Sequence, residues 1–182
     1  GKNEEALAQM KQNNAGGLND GQIGNILSIT MRKPDEALGY LSDALISTFV
    51  DVFGLVIGFT NAYCLKEDYA AANALMAWMR DFIKGLKQPG IVSYLDKAEA
   101  QLLTGWAIIS EMSLDMDQAE IFLSQAIELA EKFDRSPVYN FAGTRFFHGD
   151  QEKTAFDDFG KTAMEGISKM LADNEKDKDL TA

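Results

Sequence analysis

The chain has 182 residues, 46% of them hydrophobic, and a formal net charge of −11. This length and composition suffice for one buried core. The acidic balance argues against nonspecific binding to nucleic acid or to anionic lipid, since both need a basic surface. The single cysteine, Cys64, excludes an internal disulfide and favours a reducing compartment. We therefore expect a cytoplasmic location.

The chain begins at Gly1 without a methionine or an apolar signal segment, so we expect a piece of a longer protein. Glu-Glu-Ala-Leu at residues 4–7 matches Asp-Glu-Ala-Leu at residues 35–38. This match predicts that residues 1–17 are a partial repeat or a flexible N-terminal helix. The Asn- and Gly-rich residues 13–21 are typical of a flexible turn.

A small alanine followed by bulky apolar residues recurs with spacings of 35, 47 and 36 residues: Ala37, Ala72, Ala119 and Ala155. Stacked pairs of helices leave a period of about 34 residues, because each pair buries its apolar faces only against neighbouring pairs. The spacing predicts such helix hairpins. The alternative is an irregular helical bundle in which the alanines recur by accident, and the unequal spacings keep this alternative open.

A sustained apolar run covers residues 44–65 and is long enough to be considered membrane-spanning. Asp51, Asn61 and several Gly and Thr residues interrupt the run. The repeat register also predicts a turn at Asp51. We therefore expect no membrane-spanning segment here.

The clearest predicted hairpin surrounds a polar Lys-Glu-Asp turn at residues 66–68. The helix before the turn carries three apolar residues on one face: Val56, Phe59 and Tyr63. Asp68 is positioned to cap the helix that follows. That second helix carries three residues on its predicted buried face: Ala72, Met76 and Met79.

This segment resembles a tetratricopeptide repeat (TPR). The resemblance is carried by Asn-Ala-Tyr at residues 61–63, Asp-Tyr at residues 68–69, Ala72 and the large residue four positions later. The segment departs from the family at Thr60 and Glu67, where glycine is usual. The resemblance implies an all-α fold of antiparallel helix hairpins stacked into a TPR-like α-α superhelix of about four repeats.

The TPR-like repeat domain is expected to cover residues 18–172. In its first copy, Pro34 near the helix start and Asp35 in the first turn are typical start signals. The third copy has its turn at residues 113–115. The fourth has a helix over residues 139–147, a turn at residues 148–150 and a helix containing Ala155, Phe156 and Phe159.

Two further segments are predicted to lack helical structure. Lys-Gln-Pro-Gly at residues 87–90 must end the preceding helix. Residues 173–182 alternate Asp, Glu and Lys without an apolar face, and we expect a disordered tail.

No residue pattern points to catalysis. His148 is the only histidine, which removes multi-histidine metal sites. Cys64 lies among apolar residues and is interpreted as a small buried side chain rather than a nucleophile. The acidic residues 115–120 lack the ligands and glycine of a calcium loop and are interpreted as a helix start capped by Asp115 or Asp117. We expect no enzyme, cofactor or metal site.

In TPR arrays the first helices line a concave groove that holds a peptide or a helix of a partner. The resemblance implies a groove formed by five residues: Asn61, Leu65, Gln101, Ile108 and Arg145. Leu65 and Ile108 would favour an apolar or amphipathic partner. The alternative for these two residues is packing against the next helix. No carboxylate clamp is expected, because Ile26, Gln101 and Ile108 stand at the positions that would supply its basic residues.

The resemblance implies a non-catalytic module that binds a protein or a peptide, without direct nucleic-acid or membrane binding. The alternative is the sensory or effector domain of a bacterial transcription regulator whose DNA-binding part is absent from this chain. Phe146 and Phe147 cannot both point inward from one helix, so one is expected to be exposed. Such exposure favours self-association, and a monomer and a homodimer both stay open.

Overall fold

The computed structural model describes residues 1–148 and 162–181. Within this part of the chain there is no β-strand, and the predicted all-α class is confirmed. Lys87 and Thr144 form an isolated bridge. A π-helical turn, Ile26–Thr30, extends the second helix. The α-helices of the described residues are α1 (Lys2–Gln12), α2 (Asp20–Asn25), α3 (Pro34–Leu65), α4 (Tyr69–Leu86), α5 (Tyr94–Met112), α6 (Met116–Arg135) and α7 (Ala163–Thr181).

The chain forms two compact units. The first contains Gly1–Gly54 and residues 146–148, and the second contains Leu55–Arg145 and residues 162–181. The boundary therefore falls within α3 and within the segment 18–172 that we predicted as one repeat domain.

The core of the first unit consists of four buried residues: Leu7, Ile23, Leu27 and Ala37. Leu7 belongs to α1, so this helix contributes to the core of the first unit. A Cβ atom on Gly24 would lie 2.6 Å from Cγ of Leu41, so α2 approaches α3 at a position where only glycine fits. Pro34 begins α3, as predicted.

The turn predicted at Asp51 is wrong, because Asp51 lies inside α3, a continuous helix of 32 residues. No proline follows Pro34 within the helix. Ser47 and Thr48 donate hydrogen bonds to the carbonyls of Asp43 and Ala44, at 3.2 and 2.8 Å, so these polar side chains are accommodated within the helix. By length and composition alone α3 could cross a membrane, which is weak evidence from a single helix, and 17% of its apolar window is buried.

The second unit is built around α5, which packs against α4, α6 and α7. Its core cluster is rich in alanine, which lets helices approach closely: Ala100, Leu103, Ala107, Phe122, Ala126, Ala130, Phe133, Ala163 and Ile167. A Cβ atom on Gly105 would lie 3.6 Å from Cε of Met76 and 3.8 Å from Cε of Met170. The helix α5 therefore passes between methionines of α4 and α7.

A left-handed residue recurs in three helix-to-helix turns: Arg32, Glu67 and Leu114 have φ values of 55°, 57° and 63°. Each precedes one of the repeated alanines by five residues. Ala37 and Ala72 are buried, Ala119 is half-buried, and Ala155 lies outside the described residues. Three of the four alanines are thus accompanied by a recurring backbone conformation.

The turns at Glu67 and Leu114 share one hydrogen-bond pattern. The backbone N–H groups of Glu67 and Asp68 donate to the carbonyls of Cys64 and Tyr63, both at 2.9 Å. Those of Leu114 and Asp115 donate to Glu111 and Ser110, at 3.0 and 2.8 Å. This pair of bonds is the Schellman motif that closes helix ends.

An aspartate then caps the next helix in both turns. The carboxylate of Asp68 accepts from the N–H of Ala71 at 3.1 Å, and that of Asp115 accepts from the N–H of Gln118 at 3.2 Å. The predicted cap at Asp68 is confirmed, and of the two predicted candidates Asp115 and Asp117 it is Asp115 that caps α6. The two turns therefore have the same structure as well as similar sequences.

Glycine at the left-handed position should stabilise these turns. We expect Glu67→Gly to raise the free energy of unfolding by about 0.5–1 kcal/mol, the relieved backbone strain less the added freedom of glycine in the unfolded chain. The matched control is Lys66→Gly, which has no positive φ to relieve and should lower stability. Urea unfolding followed by circular dichroism measures the stability of both variants. An equal loss of stability in Glu67→Gly and Lys66→Gly would contradict the strain argument.

The segment after α6 is not the predicted first helix over residues 139–147. It forms turns, with positive φ at Gly143 (79°) and Phe146 (65°). These conformations and the bridge to Lys87 are incompatible with a helix. Phe146 is exposed and Phe147 is half-buried, so the expectation that one of them is exposed is confirmed. The predicted helix containing Ala155, Phe156 and Phe159 lies outside the described residues.

The last helix, α7, includes residues 173–181, which belong to the segment 173–182 that we expected to be disordered. Two sets of hydrogen bonds stabilise the N-terminus of α7. Thr162 and Glu165 exchange backbone-to-side-chain hydrogen bonds of 3.1 Å, and the Asp134 carboxylate accepts from the N–H groups of Ala163 and Met164 at 2.7 and 3.0 Å. An ion pair three residues apart, Asp173 with Lys176 at 3.3 Å, shows how the mixed charges fit a solvated helix.

Candidate functional site

An open apolar cleft of about 480 Å³ lies between the C-terminal part of α3 and α4. We call it the aromatic cleft and define it by its six lining residues: Phe59, Tyr63, Ala71, Ala74, Leu75 and Trp78. Phe59 is 56% exposed and Trp78 is 53% exposed. The rings of Phe59 and Tyr63 stack with centroids 6.4 Å apart. All of these residues belong to the second unit.

The helix α4 carries apolar residues on two faces. One face is buried and consists of Ala72, Met76, Met79 and Ile83. The hydroxyl of Thr60 on α3 donates to the sulfur of Met76 at 3.7 Å, which joins this face to α3. The other face carries Ala71, Leu75, Trp78 and Phe82, spaced at one-turn intervals, and the rings of Trp78 and Phe82 stack at 6.0 Å. On this second apolar face Trp78 is exposed, and Ala71, Leu75 and Phe82 are half-buried.

The five residues predicted to line a groove fall into three groups. Asn61 and Leu65 lie one turn apart on α3, both exposed, on the opposite flank of this helix from Phe59 and Tyr63. Gln101 and Ile108 lie two turns apart on α5, both half-buried. Arg145 is exposed after α6, and its backbone N–H donates to the carbonyl of Leu86 at 2.8 Å.

The helix α7 covers part of the predicted groove. A Cβ atom on Gly166 of α7 would lie 3.6 Å from Nε2 of Gln101. Gln101 therefore packs beside another helix, whereas Leu65 is 88% exposed. Of the predicted residues, Asn61 and Leu65 are the ones that form an open pair.

The predicted site residues did not include the aromatic cleft, although its signal is present in the sequence. Leu75, Trp78 and Phe82 follow one another at helical spacing on a face different from that of Ala72 and Met76. A helix with two apolar faces must either be buried on both or leave one for another partner.

A cluster of charged residues joins α4, α5 and α6. The Glu99 carboxylate contacts Nε of Arg80 at 3.1 Å and Nζ of Lys87 at 2.8 Å. Lys87 also contacts Asp96 at 2.7 Å. Burial alone would lower the pKa of Lys87, but its hydrogen bonds to Asp96 and Glu99 more than offset this effect and raise the pKa above its usual value. The cluster holds helices together and is not an open site.

The remaining perturbed groups also fit packing. Lys97 is buried beneath the ring of Tyr139, with Nζ 5.3 Å from the ring centroid, and burial lowers its pKa against the opposing charges of Asp134 and Glu165. Burial raises the pKa of the Cys64 thiol, which disfavours the reactive thiolate. Within residues 1–148 and 162–181, no group of three or more His, Cys, Asp or Glu residues is arranged to hold a metal ion.

Comparison of the chain with protein-family models, with curated proteins and with solved structures finds no match. The functional assignment therefore depends on the surfaces described above. The aromatic cleft offers apolar contact area and stacking, and its polar side-chain groups are the hydroxyl of Tyr63 and the indole N–H of Trp78.

Proposed function

We propose that this chain is a non-catalytic, TPR-like helical repeat module that binds a protein or a peptide. The equivalent turns at Glu67 and Leu114, each with an aspartate cap and an alanine five residues later, support a repeated hairpin unit. The packing of α5 against α4, α6 and α7 supports the stacking of such units. The net charge of −11 disfavours direct contact with nucleic acid.

The observation that carries the proposal is the exposure of Phe59 and Trp78 beside each other in an open cleft. Large apolar surfaces are costly to leave in water and mark interaction sites. Tryptophan and tyrosine are enriched among the residues that contribute most to protein binding. Asn61 and Leu65 supply a second exposed pair on the opposite flank of α3.

A peptide library displayed on phage tests this function. The immobilised chain is expected to enrich a family of related peptides that an unrelated helical protein of similar negative charge does not retain. Failure to enrich any peptide family over that control would overturn the proposed function. Enrichment that depends only on charge would do the same, since acidic proteins retain basic peptides without a specific site.

Variants of the enriched complexes then locate the site. If the predicted groove is used, Asn61→Asp with Leu65→Asp should weaken peptide capture by about tenfold or more, the effect of losing an interface anchor. The matched control is Leu114→Asp, at an equally exposed leucine in another turn. Equal capture by both variants would remove Asn61 and Leu65 from the binding surface while leaving the module's function in place.

A further inference from the structure

The α5–α6 hairpin contains a covered counterpart of the aromatic cleft. Leu114 follows Glu67 by 47 residues, and the two turns have the same structure. The same shift pairs the cleft residues with residues of α5 and α6: Phe59 with Trp106, Tyr63 with Ser110, Leu75 with Phe122, and Trp78 with Gln125.

The helix α4 covers this counterpart. The indole N–H of Trp106 donates to Oδ1 of Asn73 at 2.7 Å, and Arg80 donates to Oε1 of Gln125 at 2.6 Å. Both Asn73 and Arg80 belong to α4 and lie two turns apart on one face. The ring of Trp106 stacks on Phe122 beneath this face, with centroids 4.2 Å apart. A single amphipathic helix therefore covers this surface of the α5–α6 hairpin.

We propose that the aromatic cleft is a docking site for one amphipathic α-helix of a partner protein, which lies on α3 and α4 as α4 lies on α5 and α6. The proposal rests on the proposed function and names the class of partner. Helix-in-groove recognition needs an apolar stripe at one-turn spacing, and the cleft offers stacked aromatic rings of matching character.

The residue differences between the two surfaces define the partner's apolar stripe. Phe59 lacks the ring N–H that Trp106 uses to bind Asn73, and Trp78 replaces the amide of Gln125. The docked helix therefore meets an apolar ring at Phe59 and an indole ring at Trp78, where α4 forms its hydrogen bonds to Trp106 and Gln125. It carries Leu, Ile, Met or aromatic residues at one-turn intervals.

The charge of the chain defines the partner's flanks. Asp81 is exposed one turn after Trp78, and Glu67 is exposed in the turn before α4, next to the exposed Lys66. Together with the net charge of −11, these carboxylates favour a helix with lysine or arginine beside its apolar stripe. Binding should therefore weaken as the salt concentration rises.

The test uses a synthetic peptide of about 18 residues, five helical turns. It has leucines at helical spacing and lysines elsewhere, and a scrambled peptide of the same composition has no helical stripe. Fluorescence anisotropy measures binding, and circular dichroism measures peptide helicity. The cleft variant is Phe59→Ser with Trp78→Ser. The matched control, Met116→Ser with Ile121→Ser, removes exposed apolar residues from α6.

The expected result is helical binding of the striped peptide to the wild-type chain and the control, with about tenfold or greater weakening in the cleft variant. The proposal would be overturned if the scrambled peptide bound the wild-type chain as tightly as the striped peptide does. It would also be overturned if the cleft variant bound the striped peptide as tightly as the wild type does. Two other occupants would also overturn it: a homodimer in sedimentation that the cleft variant abolishes, or cleft-dependent binding to phosphatidylcholine vesicles.

The library experiment separates this proposal from the proposed function. Enriched peptides that bind the cleft variant as well as the wild type would refute helix docking in the cleft and leave the binding module standing. If neither the library nor the striped peptide binds, both proposals fail.

Discussion

Replacing Glu99 by alanine is expected to lower the free energy of unfolding by about 3–5 kcal/mol, the usual cost of breaking a buried ion pair. The Glu99 carboxylate is almost fully buried and contacts Arg80 at 3.1 Å and Lys87 at 2.8 Å. Alanine leaves two largely buried cations with fewer partners. Urea unfolding followed by far-ultraviolet circular dichroism measures the loss.

Two matched variants separate pairing from burial. Glu128→Ala removes an exposed carboxylate from α6 and should change stability by no more than about 0.5 kcal/mol. Replacing Arg80, Lys87 and Glu99 together by methionine removes the charges with their pairing, and should recover much of the loss. A Glu99→Ala variant as stable as Glu128→Ala would show that the cluster contributes nothing to the fold.

The same experiment has a pH readout. The pKa of Lys87 is raised in the folded chain, so the folded state holds this proton more tightly than the unfolded state does. The resulting stabilisation is complete below the ordinary lysine pKa of 10.5 and is lost as the pH rises through the higher folded value. The difference in the free energy of unfolding between wild type and Glu99→Ala should therefore be constant near neutral pH and should decrease in strong alkali.

Ala72→Phe should cost more than the usual overpacking penalty of about 1–3 kcal/mol. Ala72 is fully buried, on the face of α4 that also carries Met76. Met76 contacts Thr60 on α3 and lies near Gly105 on α5, so added bulk on this face strains two neighbouring helices. Stacked hairpins share such strain.

Ala70→Phe is the control for this variant. Ala70 is exposed on the same helix, so phenylalanine there has the same helix propensity and no buried neighbours to displace. Thermal unfolding compares the two proteins. Equal melting temperatures would mean that Ala72 does not lie at a close helix contact.

Local signals in the sequence predicted the turns and their caps. Lys-Glu-Asp at residues 66–68 and Asp115 specify their turns through nearby hydrogen bonds, and both turns are present. Pro34 and the Pro-Gly pair at residues 89–90 likewise mark helix limits that the structure has. Such signals act within a few residues and need no tertiary contact.

The repeat register failed where no local signal accompanied it. At Asp51 the register predicted a turn, but the surrounding residues contain no proline, and α3 continues. At residues 139–147 a helix was expected, but Gly143 and Phe146 adopt positive φ. A period averages over copies and does not specify the backbone of any one of them.

The site was harder to predict than the fold, because exposure depends on what covers a surface. Gln101 has the sequence position of a groove residue, yet Gly166 of α7 lies against it. Trp78 and Phe82 look like core residues at helical spacing, yet Trp78 is largely exposed. Both outcomes are set by tertiary packing that sequence periodicity does not contain.

The buried charged residues of α5 determine how this helix is positioned along its neighbours. A helix with only alkyl side chains can slide along its neighbours by one turn at modest cost. Asp96, Lys97 and Glu99 are nearly inaccessible to solvent, and Asp96 and Glu99 reach Lys87 while Lys97 reaches Tyr139. A shift of one turn would strand all three charges in an apolar interior. These residues therefore fix the position of α5 along its axis relative to the helices around it.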